Sequence, residues 1–110
     1  MKLPNADRAV IEIEKLRGYC LSATHPRGKH KARVFVAALG ITADDAEELK
    51  QAILSAVMIE EAMSTERDEY GQRFVVDFSM KRRGKEAAIR SSWIIRRGED
   101  YPRLTSCYVL

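Results

Sequence analysis

The feature that most constrains this chain is a change of hydrophobic period near Gly71. Before it, apolar residues recur at helical spacing; after it, they alternate. Ala32, Phe35, Val36 and Leu39 share one face of a helix predicted over 29–39, with Gly40 placed to end it. Thr42 and Asp45 stand as a capping box, with Ile41 and Ala46 as its staple, ahead of a second helix over 43–57. Its stripe is Ala46, Leu49, Ile53 and Val57. Beyond Gly71, the residues Phe74, Val76 and Phe78 alternate with more polar neighbours, and strands are expected near 73–79, 87–96 and 103–109. Lys81 to Lys85 reads as a charged hairpin loop, and Arg97 to Asp100 as a turn. On the last strand Leu104, Ser106 and Tyr108 are expected on one face, with Arg103, Thr105, Cys107 and Val109 on the other.

Elements in that order predict an α+β fold, with N-terminal helices packed on one face of a C-terminal antiparallel sheet of three to four strands. One domain over 1–110 is expected, with Leu49, Ile53, Phe74, Val76, Phe78 and Trp93 in its core. Residues 9–13 read as extended, Glu14 to Cys20 as a short helix, and Leu21 to Gly28 as a loop. No apolar run reaches the length of a membrane span, and the N-terminus lacks the pattern of a signal peptide. Cys20 and Cys107 lie far apart in sequence and in apolar surroundings, as buried free thiols do in a reducing compartment. A cytoplasmic location is the expectation.

The net charge of +3 is unevenly spread: residues 1–41 carry eight Lys/Arg against three Asp/Glu, 42–65 carry one against six, and 66–110 carry ten against seven. An acidic helix thus separates two basic segments, and basic surface draws phosphate-bearing partners. Known nucleotide-loop, serine-hydrolase and zinc-protease motifs are absent. With only His25 and His30 as histidines, no metal site and no cofactor is expected.

What remains is His25-Pro26-Arg27-Gly28-Lys29-His30-Lys31, two histidines among cations at the start of a helix. Transesterification of RNA needs a base for the 2′-hydroxyl, an acid for the leaving oxygen and cations for the transition-state charge. Imidazole suits the first two and Lys or Arg the third. Cations are mildly unfavourable at a helix N-terminus unless an anion binds there. A plain solvated basic surface is the competing reading. A second set, Arg90, Ser92, Arg103 and Thr105, is expected on one open sheet face, as a phosphate-binding surface or as ordinary solvated strand residues. Asp77, inside an apolar strand, is placed to pair an Arg across the sheet.

The residues Lys15 to Leu21, Gly28 to Phe35, Leu39-Gly40, Tyr70 to Arg73, Trp93 and Pro102 to Tyr108 together resemble an uncharacterised bacterial domain family. Its members stand alone or end larger phage-related or toxin-like proteins. The order of elements is similar to the barnase, EndoU, colicin and RelE-like ribonuclease fold. The resemblance implies a metal-independent endoribonuclease of the small toxin type, acting on RNA and met by a cognate antitoxin or inhibitor. It implies a site of His30, Lys31, Arg103, Thr105 and Ser106, and the basic helix start and the strand face read above add Lys29, Arg33, Arg90 and Ser92 as expected phosphate contacts. The alternative is a non-enzymatic interaction or accessory module of a toxin–antitoxin or phage-related system, favoured by the modest charge and the acidic helix.

Overall fold

A computed structural model describes all 110 residues. The chain begins with a 3-10 turn, Ala6–Arg8, and an extended passage through Val10. A single helical turn, α1 (Ile13–Lys15), then widens into a π-turn over Leu16–Cys20. Helices α2 (Lys29–Leu39) and α3 (Ala46–Ile59) follow, the latter entered through a 3-10 turn at Ala43–Asp45. Four strands complete the chain: β1 (Ala62–Asp68), β2 (Gly71–Arg82), β3 (Lys85–Arg96) and β4 (Arg103–Val109). They form one antiparallel sheet in the order β1-β2-β3-β4. The fold is α+β, with the helices N-terminal to the sheet and packed on one face of it. No helix is long and apolar enough to cross a membrane.

The expected core is in place: Leu49, Ile53, Phe74, Val76, Phe78 and Trp93 are all buried. Phe74 faces Trp93, Val76 faces Ser91 and Phe78 faces Ile89 across the β2–β3 ladder, so one face of the sheet is set by the alternation. On α2 the buried stripe is Ala32, Phe35 and Leu39, while Val36 lies half in solvent at the rim of a groove. Gly40 ends the helix in the left-handed region, φ 65°, and the Thr42–Asp45 capping box starts the next turn.

The fourth strand, within the three to four expected, is β1, whose side chains are mostly exposed and so show no alternation. Three expectations need correction. The charged loop at 81–85 shrinks to Arg83-Gly84, both at positive φ as a two-residue hairpin turn requires. Arg82 is therefore not a loop residue but is buried. It donates to the carbonyls of Leu39 (3.1 Å) and Gly40 (2.9 Å) and pairs with Glu48 and Asp45. It thus satisfies the open carbonyls at the end of α2. Finally, a bulge shifts the register of β4: Ser92 pairs with Ser106 but Trp93 with Leu104, leaving Thr105 without a partner. Leu104 and Cys107 are consequently buried together, and Ser106 rather than Thr105 stands opposite Ser92.

β4 is an edge strand, but its free side is covered. Val10 pairs with it in parallel, donating to Pro102 O and accepting from Leu104 N–H, both at 2.9 Å. Further along, Cys107 N–H donates to Cys20 Sγ at 3.4 Å. The π-turn and the start of α2 are thereby held against β4, and this is where the polar side chains gather.

Candidate phosphate-binding cleft

Three local devices bring the cleft together. The π-turn closes with Leu21 N–H on Leu16 O at 2.7 Å, and it carries Tyr19 and Cys20 toward α2 and β4. Gly28 lets the start of α2 lie on that turn, since a Cβ there would stand 2.0 Å from Tyr19 O. His25 caps the turn that leads into α2: its Nδ1 accepts from Arg27 N–H at 3.0 Å and Gly28 N–H at 2.9 Å. Pro26 lies within that turn, ahead of the helix proper.

The resulting cleft, of about 450 Å³, is lined by Glu12, Glu14, Lys15, Tyr19, His25, Arg27 and Thr105. Lys31, in the neighbouring groove, joins the cleft through Tyr19, donating to its phenol oxygen at 3.0 Å with its ammonium 4.9 Å from the ring centre. The phenol oxygen holds the Lys31 ammonium above its ordinary pKa, against the opposing effect of burial. The His25 ring meets Tyr19 edge-on, centroids 4.8 Å apart.

This geometry fixes which groups can give a hydrogen bond. With Nδ1 occupied as an acceptor, neutral His25 carries its proton on Nε2 and offers a donor rather than a base. Tyr19 receives its hydrogen bond from Lys31, so its own O–H is free to donate. Thr105 spends its hydroxyl proton on Ser92 O at 3.1 Å and offers only lone pairs to the cleft. Glu12 and Glu14 supply the carboxylates. Glu14 folds back on its own helix beside Gly18 and Arg17, whereas Glu12 reaches toward Arg103, 3.6 Å away, on β4.

The residues singled out in the sequence are divided among several places. Lys31 and Thr105 adjoin this cleft. His30 does not: it lies on the neighbouring side of α2 with Val34, Tyr108 and Val109, and no protein group bonds its ring. Lys29 and Arg33 line a third, more apolar groove with Leu21, Val36 and Asp44. Arg90 is held by Asp77 through two bonds of 2.8 Å, which keep that carboxyl below its usual range. Arg103 is held by Glu99 through two bonds of 3.0 Å, with Tyr101 also bonded to it. Ser92 and Ser106 pair across β3 and β4, with the Ser106 hydroxyl 3.9 Å from Cys20 Sγ. Arg90 and Arg103 are thus neutralised internally, while Lys15, Arg27, Lys29 and Arg33 have no acidic partner within 4.0 Å.

Behind the cleft, Cys20 and Cys107 are free, buried and adjacent. Hydrogen bonding from Cys107, helped by Ser106 and Lys31, lowers the Cys20 thiol despite its burial, while the Cys107 thiol is pushed up by its bond to Cys20 and by burial. Nowhere do three His, Cys, Asp or Glu side chains gather as a metal would require.

The sequence did not single out Tyr19, Lys15 or Glu12 for the site, whereas Arg27 and His25 lay in the cationic run noted above. The local sign was Pro26 with Gly28, which punctuate the loop ahead of the helix. Comparison with curated proteins and with solved structures gives no match. A family model does match, over residues 2–110, and the chain belongs to that family, the domain of unknown function DUF6883.

Proposed function

We propose that this domain is a metal-independent endoribonuclease that binds a phosphodiester in the Tyr19–His25–Lys31 cleft. One observation carries the reading: two donors, the Tyr19 hydroxyl and the His25 Nε2–H, line one small cleft beside a carboxylate, and the Lys31 ammonium is bonded to the Tyr19 oxygen from the adjoining groove. That is a receptor for an anion on which negative charge develops. The unpaired cations Lys15 and Arg27 at its mouth favour a polyanion over a single small acid.

In this mechanism the Glu12 carboxylate accepts the 2′-hydroxyl proton as that oxygen attacks phosphorus. The charge on the phosphoryl oxygens is met by Lys31 and His25 Nε2–H. The bond to the 5′-oxygen breaks as Tyr19 delivers its proton there, and Lys31 stabilises the phenolate left behind. The products are a 2′,3′-cyclic phosphate and a free 5′-hydroxyl. The acid and base roles that sequence reasoning gave to His30 fall here to Tyr19 and Glu12, and His25, held by its cap contacts, serves as a donor to phosphate. Arg103 holds the loop at Glu99 and positions Glu12 instead of touching phosphate.

A bacterial toxin with a protein inhibitor, working in the cytoplasm, is the biological setting that fits such an activity. The interaction-module reading has one observation in its favour, the groove of about 610 Å³ between α2 and the start of α3, lined mostly by apolar side chains. Incubating the purified chain with mixed RNA separates the two. New ends bearing cyclic phosphate support the nuclease, and intact RNA beside folded protein supports the module.

A further inference from the structure

We infer that the groove beside the cleft, lined by His30, Lys31, Val34, Tyr108 and Val109, is the subsite for one unpaired nucleobase next to the bound phosphate. The inference rests on the phosphate-cleft reading and gives His30 and Tyr108 a part in it. The groove is about 410 Å³, within the range of small-molecule sites, roughly 300–1,000 Å³. It adjoins the cleft through Lys31, which lines the groove and bonds Tyr19 in the cleft. A molecule with a phosphate at Lys31 therefore has its next group at this groove.

The walls suit a flat heteroaromatic ring. Val34 and Val109 are apolar, and Tyr108 offers an aromatic face of the kind on which bases stack. Tyr108 stands on rigid support: it lies opposite Arg90 in the ladder, and Asp77 fixes that guanidinium by two bonds of 2.8 Å. His30, with both ring nitrogens free of protein partners, can bond the edge of a base. A paired base has no edge or face to spare, so the substrate is a single-stranded or looped segment. The same arrangement explains why Arg90 is neutralised: it serves Tyr108, not phosphate.

Amide chemical shifts of the full chain, titrated with inorganic phosphate and separately with nucleoside 3′-monophosphates, test this. Phosphate is expected to move Tyr19, His25 and Lys31. The nucleotides should also move His30, Val34 and Tyr108, and should bind at least about ten-fold more tightly, as stacking on an aromatic ring provides. The Tyr108→Ala chain should bind nucleotides no more tightly than phosphate. If it fails to fold, Val34→Glu, at an exposed helix position, should give the same loss. Equal affinity for phosphate and nucleotides, with shifts confined to the cleft, would overturn the base subsite while leaving the phosphate site. No response to either ligand would overturn both.

Discussion

Lys31 Nζ donates to the Tyr19 hydroxyl oxygen across 3.0 Å, joining the first turn of α2 to the π-turn of the preceding helix. The contact does two things. It holds Lys31 cationic, and it turns the phenol proton outward as the donor available to a leaving oxygen. Tyr19→Phe keeps the ring, its packing on His25 and its place over Lys31. Cleavage by that variant is therefore expected to fall by about 10²–10⁴ while the thermal midpoint changes little. Wild-type rates in Tyr19→Phe, measured on the same RNA, would remove the phenol from the mechanism.

His25 has two separable roles, one per nitrogen. His25→Ala loses the cap on Arg27 and Gly28 and should cost about 1 kcal/mol in denaturant titration. His25→Asn can restore the cap through its side-chain oxygen but has nothing to place at Nε2. Stability should return in the Asn variant while activity does not. If Asn restored both, His25 would be a cap and nothing more.

Trp93 and Ser91 form the buried polar seam of the sheet. The indole Nε1–H donates to Ser91 Oγ at 2.9 Å, which donates to Val76 O at 2.8 Å. Trp93→Ala should destabilise by about 3–5 kcal/mol as a large core truncation. Ser91→Ala strands the indole N–H and should cost about 1–3 kcal/mol despite the small change in volume. Unchanged stability in Ser91→Ala would mean that the indole finds another acceptor.

Acid should unfold the chain earlier than its core alone would suggest. Arginine partners lower the carboxyls of Glu48, Asp68, Asp77, Glu99 and Asp100 in the folded state, and a backbone N–H with Arg82 lowers Asp45. A depressed carboxyl stabilises the fold above its unfolded pKa, and that contribution disappears as pH falls through the folded one. The thermal midpoint is thus expected to hold steady near neutrality and to drop from about pH 4 downward. A midpoint flat through that range would show these pairs to be energetically idle. Screening by salt should reduce the drop, because most of these carboxylates stand at the surface.

The helices and the two central strands were legible because each buries one face, which writes its period into the sequence. β1 was not, since an edge strand open to solvent has no face to conserve apolar residues on. Nor was the bulge at Thr105, where one extra residue moves Cys107 inward without any change in composition. In the site, the cluster of cations and histidines was visible, but not which histidine mattered. His25 and His30 differ in what their ring nitrogens touch, and that depends on the close approach of Gly28 to Tyr19. Tyr19 itself reads as an apolar helix residue until α2 brings Lys31 to it.

The central claim is that Lys31 and its cleft cleave RNA without a metal. The direct measurement is single-turnover cleavage of one single-stranded RNA, in excess EDTA, by the wild-type chain and by Lys31→Met. The account expects the wild type to cleave and to leave a 2′,3′-cyclic phosphate. The variant, folded to the same spectrum, should be slower by about 10²–10³, the cost of removing one transition-state donor. Cleavage that stops in EDTA, or a Lys31→Met chain as fast as the wild type, would contradict it.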